Sequence, residues 1–194
     1  MRITRFGIAL FAVVVCGSAS VPPAPAPEPA NVVKPTPLIL EKNEGERRVV
    51  RPWPGHPDPG ETFTIKVDPK NGGSSHMVFF TAEIRPGGAI DAHKHPGSDE
   101  ILFLESGTAR AHLGNSVRVV HAGATIFIPA NTWVSVDNIG TDTISLLSIF
   151  SAPGFEDFMR AESVREGEKN VPVSKAEDAR IQKAHRYCVV YANP

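Results

Sequence analysis

Apolar and polar residues alternate along much of the chain between residues 62 and 150. Turn-forming residues interrupt the alternation at short intervals, as at 71–73 and 86–88. A period of two predicts β-strands that are buried on one face, because successive side chains of a strand point to opposite sides. The pattern predicts strands at residues 62–67, 77–85, 89–95, 99–105, 108–113, 116–121, 124–129, 132–137 and 142–150.

Helical patterns are confined to the C-terminal part of the chain. The i, i+3, i+4 spacing of Phe155, Phe158 and Met159 predicts a short helix, and such an apolar stripe indicates packing rather than a ligand site. A capping-box pattern that starts at Ser174 predicts a second helix ending near Arg186. Many short strands without long helices between them predict an all-β antiparallel sandwich or barrel.

Two histidines and a glutamate lie at the centre of the alternating region. His93 and His95 are two residues apart, so both project from the same face of a predicted strand. A predicted turn at 96–98 returns the chain, and Glu100 then shares a face with apolar residues. An unpaired carboxylate in an apolar interior is very costly, and a bound cation would offset that cost. This donor set suits divalent iron, manganese, zinc, nickel or copper without distinguishing among them.

The spacing around these residues resembles the first motif of the cupin family, which is carried here by Gly87, His93, His95, Glu100 and Gly107. A second segment resembles the second cupin motif through Gly123, Pro129 and Asn138. The resemblance implies a double-stranded β-helix, or jelly-roll, barrel with a divalent metal inside it. Cupins are double-sheet jelly rolls, so the family resemblance agrees with the strand pattern.

The second motif departs from the family at two positions. Asn131 replaces a usual glycine, which is a minor change because asparagine also tolerates turn conformations. Val134 stands where the family usually has its last metal-binding histidine. The remaining two histidines and one glutamate match, by chemical analogy, the facial triad of non-haem iron(II) oxygenases. The alternative is a barrel that has lost tight metal binding. A structural or surface role is expected for the other candidates, which are His76, His112, His121, His185 and Asp137.

Three classes of function follow from this resemblance. The favoured class is a metal-dependent enzyme, in which three ligands leave coordination positions for dioxygen and a small organic substrate. Decarboxylases and isomerases are also common among cupins of this type. The second class is a non-catalytic module that binds a small ligand or a metal, and the third is a structural barrel without metal.

The first residues of the chain predict a secretory signal peptide over residues 1–19. A positively charged start precedes the apolar run 6–16, which is shorter than the roughly 20 residues that a membrane-spanning helix needs. Cleavage is expected after Ala19, which gives a secreted or periplasmic protein. The rival is a lipoprotein signal with Cys16 as the acylated residue, although the bulky Val15 before it is atypical.

Composition divides the rest of the chain into a proline-rich linker (20–37), an extended arm (38–60), the barrel (61–151) and a C-terminal helical extension (152–194). A net charge of −1 without a basic stripe indicates no nucleic-acid partner. Cys188 is expected to be a buried apolar residue rather than a nucleophile. Three arginines of the arm are expected to form a solvated face, namely Arg47, Arg48 and Arg51.

The strand predicted over residues 99–105 is apolar on both faces. Ile101 and Phe103 lie on the face opposite Glu100. Such a surface is expected to be covered by the chain's own helices or by a second subunit. The second alternative predicts a homodimer.

Overall fold

The computed structural model describes residues 35–53 and 61–192, which form two antiparallel sheets and two helices. The predicted signal peptide and the linker up to residue 34 lie outside the described residues. The strands are β1 (Glu46–Val50), β2 (Thr62–Val67), β3 (Val78–Ile84), β4 (Ala89–Lys94), β5 (Glu100–Ser106), β6 (Thr108–Leu113), β7 (Ser116–His121), β8 (Thr125–Ile128), β9 (Val134–Asn138), β10 (Ile144–Phe150), β11 (Ser163–Arg165) and β12 (Val190–Tyr191). The helices are α1 (Phe155–Ala161) and α2 (Lys175–His185).

The strands are arranged as the predicted all-β jelly roll. The larger sheet has the order β11-β1-β2-β3-β10-β5-β8, and the smaller one has the order β12-β4-β9-β6-β7. All strands predicted between residues 62 and 150 are confirmed, with bounds that differ by at most two residues. Strand β1, which lies within the predicted arm, belongs to the larger sheet, and both helices follow β10 in the chain. No helix among the described residues has the length and hydropathy needed to cross a membrane.

The core lies between the two sheets, as alternating burial in β5 shows. Glu100, Leu102 and Leu104 are buried, whereas Ile101 is 43% exposed and Phe103 is 37% exposed. Neither helix covers this outer face, so the predicted cover by the chain's own helices is wrong for the described residues. Cover of this face by a second subunit, in a homodimer, stays a prediction.

A cluster of aromatic rings fills the core beside α1. The Phe80 ring makes edge contacts with Phe63 at 5.9 Å, with Phe150 at 5.7 Å and with Phe155 at 5.9 Å between centroids. Edge-to-face geometry at such distances is favourable beyond the burial of apolar area. The stripe on α1 therefore packs against the core, as its spacing predicts.

The main difference from the sequence-based picture concerns the charged residues of β1. Arg48 is buried, and its guanidinium donates to the Ser163 hydroxyl at 2.6 Å and to the Arg160 carbonyl at 3.1 Å. Arg47 and Arg51 form ion pairs as well, so the predicted solvated face is wrong. Their partners lie on distant parts of the chain, and β11, which pairs with β1, is not among the predicted strands. Local sequence carries no signal for such long-range pairs.

One buried lysine fastens the N-terminal arm to the barrel. The Lys66 ammonium donates to three arm carbonyls, those of Glu41 at 2.8 Å, Lys42 at 2.7 Å and Glu44 at 2.5 Å. An ammonium has three donors, so this geometry satisfies all of them. This side chain of β2 therefore adds to the pairing of β1 with β2 in holding the arm against the barrel.

We expect Lys66→Met to destabilise the protein by about 2 kcal/mol or more, because buried hydrogen bonds to a charged donor are lost. Urea unfolding of the full chain measures the effect. The matched control is Lys70→Met, whose exposed ammonium pairs with Asp157 at 2.6 Å. An exposed ion pair contributes less than about 1 kcal/mol, so equal losses in the two variants would contradict this account of the arm.

Candidate metal centre

The structure brings His93, His95 and Glu100 together inside the barrel. His93 lies near the end of β4, His95 follows it, and Glu100 begins β5 after the turn. Ligand atoms of the three side chains lie within 4.8 Å of one another, and all three residues are buried. The predicted convergence of the three side chains is therefore observed.

Hydrogen bonds to the backbone orient both imidazoles. His93 Nδ1 lies 2.8 Å from the Asp91 carbonyl, and His95 Nδ1 lies 2.9 Å from the Cys188 carbonyl. A carbonyl only accepts, so each neutral ring carries its proton on Nδ1 and keeps the Nε2 lone pair free. Metal-binding histidines are commonly held in this way.

The Nε2 atom of His95 has no hydrogen-bond partner although its side chain is only 2% exposed. Buried polar atoms are nearly always satisfied, so an orphaned one requires a physical explanation. The atom lies 3.7 Å from Glu100 Oε2, which is too long for a hydrogen bond and leaves room for an ion to contact both atoms. The donor set therefore fits a divalent metal.

Electrostatics favour the uncharged form of each group. Burial lowers the pKa of His95 to about 3, with a smaller contribution from His93, and burial also lowers the pKa of His93. Burial raises the pKa of Glu100 to about 7, against the opposing effect of its hydrogen bond with Ser148. Both imidazoles are therefore neutral at pH 7, as metal coordination requires.

Aromatic side chains from the C-terminal part surround the histidines. The Phe155 ring centroid lies 4.7 Å from that of His95, and the Tyr191 centroid lies 5.6 Å from that of His93. Phe155 was predicted only as a packing residue, and neither Tyr191 nor the Cys188 carbonyl was assigned to the site. The only sequence signal at Phe155 was the apolar stripe of α1, which indicates packing. A backbone carbonyl has no sequence signal, because every residue type carries one.

Val134 lies directly beside the histidines. It is opposite His93 in the β4–β9 register and is 2% exposed. None of the other predicted candidates replaces it. His76 and His121 are exposed, and His185 bonds to the Ile181 carbonyl. His112 Nε2 lies 3.6 Å from Asp137 Oδ2 on the outer face. These side chains do not join the cluster.

Other motif residues shape the loops that hold the site. Asn131 adopts a φ of 64°, in agreement with the prediction that asparagine tolerates this turn position. Buried Asn138 donates to the carbonyls of Ile84 and Asp142, at 2.8 and 2.9 Å. Gly107 adopts a φ of +87°, and an added Cβ would lie 2.6 Å from Ile144 Cγ2. These roles are structural.

Cys188 is buried, and its Sγ donates to the His185 carbonyl. Burial raises the pKa of its thiol to about 11, so the thiolate needed for nucleophilic attack is scarce at neutral pH. The structure thus agrees with the predicted role of an apolar core residue.

Comparison with known proteins places the barrel in a family. Residues 80–150 match the family model of the Cupin domain. An uncharacterised protein of Acanthamoeba polyphaga mimivirus is 33% identical over 104 residues, which are 50% of this chain and 65% of that protein. Mannose-1-phosphate guanylyltransferase 2 of Escherichia coli is 27% identical over 118 residues, which are 59% of this chain. The chain spans 22% of that enzyme's length and less than two thirds of either relative.

A solved structure supports the same fold. The crystal structure of a predicted oxalate decarboxylase from Thermotoga maritima superposes with a TM-score of 0.50 and 17% sequence identity. The match covers 60% of this chain and 100% of that one. The two-sheet architecture, the buried His-His-Glu cluster and the match over residues 80–150 agree, and this part of the chain is a cupin domain.

Proposed function

We propose that the chain is a metal-dependent enzyme that holds one divalent ion through His93, His95 and Glu100. The observation that carries this proposal is the buried Nε2 of His95, which faces Glu100 without a hydrogen-bond partner. The reaction proposed is oxidation of a small organic molecule by dioxygen. Three protein ligands leave coordination positions open, and an apolar cavity lies beside them.

The chain's own residues would position and protect the reacting groups. The carbonyls of Asp91 and Cys188 hold the two imidazoles in one orientation, so the ligand set is preorganised. Phe150 and Phe155 pack against His95 and restrict the access of bulk water. When bound, the metal would supply Lewis-acid or one-electron chemistry to the molecules in its open positions.

Elemental analysis of the protein, purified without a histidine tag, tests the metal site. We expect about one divalent ion per chain in the wild type and less than a tenth of that in His95→Ala. The matched control is His76→Ala, which removes an exposed histidine and should keep the metal. Absence of metal from the wild type would refute the proposal.

Oxygen uptake by the Fe²⁺-loaded protein separates the enzyme from a binding module. We expect uptake with a panel of single-ring phenols, and none with His95→Ala. Stoichiometric metal and ligand binding without uptake, for iron and for the other divalent metals, would instead identify a non-catalytic binding module.

The pH dependence of metal affinity should report on Glu100. Its pKa is raised to about 7, whereas the pKa values of both histidines are lowered, so below pH 7 the metal competes with one proton on Glu100. We expect the affinity to fall about tenfold per pH unit below 7 and to level off above 8. Titration calorimetry in two buffers of different ionisation enthalpy measures the released proton. Release of two or more protons at pH 6 would contradict this assignment.

We also propose that the protein is exported, on the evidence of its N-terminal sequence. Cell fractionation of the full chain should recover it outside the cytoplasm. Mass spectrometry of the mature N-terminus should then show cleavage after Ala19, whereas a diacylglyceryl group on Cys16 would identify a lipoprotein. An unprocessed chain in the cytoplasm would refute export.

A further inference from the structure

The cavity beside the candidate ligands is walled mainly by hydrocarbon. Its volume is about 100 Å³, and His93 and Glu100 lie on its boundary. The apolar part of the wall includes Phe63, Phe80, Ile84, Leu102, Val136 and Phe150. A ligand here would therefore make mostly apolar contacts.

The charges around this cavity limit the charge of a ligand that can bind in it. No lysine or arginine lines it among the described residues, whereas the acids Glu61, Glu83 and Glu100 do. The ion pair with Arg47 at 3.1 Å compensates the charge of Glu83. Burial, together with the like charge of Asp91, raises the pKa of Glu61 to about 8, so this carboxyl is mainly uncharged at neutral pH and offers an anion no positive charge. A divalent ion beside the Glu100 carboxylate carries one net positive charge, so a bound dianion would leave an uncompensated negative charge in an apolar cavity.

Two hydroxyl groups of the wall already have hydrogen-bond partners within the protein. Ser148 forms a hydrogen bond with Glu100, and the Thr62 hydroxyl donates to Glu83 at 3.2 Å. Val134, opposite His93 in the sheet register, presents only methyl groups. At Val134 the wall therefore contacts a ligand through hydrocarbon alone.

The volume sets the size of the occupant. An apolar cavity of about 150 Å³ in another protein binds benzene. At about 100 Å³, this cavity suits a single small ring, with slight adjustment of the wall. Together with the charge argument, the size points to a small and uncharged molecule.

We propose that the substrate of this site is an uncharged, mainly hydrocarbon molecule of about one ring, and that the cavity rejects small dianions. This proposal rests on the proposed metal-dependent function. Val134 is a specificity-determining residue, because it places hydrocarbon beside His93 where a polar side chain would favour a polar ligand.

The first experiment uses the metal-free full chain and benzene as the probe. We expect benzene to raise the melting temperature and to bind about tenfold more weakly to Val134→Thr, because the buried hydroxyl would lose solvation on binding of an apolar molecule. The isosteric control is Val117→Thr on an exposed outer position, which should bind benzene like the wild type. No stabilisation by benzene, or equal binding to both variants, would overturn the proposal.

The second experiment uses the Co²⁺-loaded chain and compares phenol with oxalate through the visible spectrum of the ion. We expect phenol to bind at least tenfold more tightly than oxalate at pH 7.5. Tighter or equal binding of oxalate would overturn the proposed substrate class while leaving the metal site intact. Failure to bind Co²⁺ or any other divalent ion would refute the proposed function, and the benzene experiment would still decide the nature of the cavity.

Discussion

The carboxyl group of Glu100 is placed inside an apolar barrel, and this placement constrains everything around it. The strand alternation that buries Leu102 and Leu104 also buries Glu100, so the carboxyl cannot reach water without breaking the register of β5. Two neutral imidazoles face it, and they supply lone pairs rather than positive charge. A divalent cation is the partner that would satisfy all three groups at once.

Period-two alternation explains why the sequence revealed both the barrel and the convergence of the three side chains. His93 and His95 share a face because they are two residues apart, and Glu100 returns to them through a short turn. These relations are local, so they follow from the sequence. The metal itself stays a prediction, because imidazole and carboxylate donors accept several divalent ions.

Parts of the site that depend on distant segments could not be predicted. The Cys188 carbonyl that orients His95 belongs to a residue 93 positions away, and any residue type provides such a carbonyl. β11 has three residues and no apolar alternation, and it exists because β1 offers it an edge. Arg48 looked like a solvent-exposed residue because the partners that bury its guanidinium, Ser163 and Arg160, lie more than a hundred positions away.

The C-terminal part of the chain completes the site, although it lies outside the matched domain. β12 pairs with β4 so that Tyr191 lies opposite His93, and the chain enters this strand through Cys188. Helix α2 precedes it and is tied to the N-terminal part by the Arg51–Glu177 pair at 2.8 Å. The orientation of His95 thus depends on the pairing of β12 with β4. The helix before β12 is held by the Arg51–Glu177 ion pair, which is not part of the metal-ligand cluster. The barrel provides the donors, and the C-terminal segment fixes the direction in which one of them points.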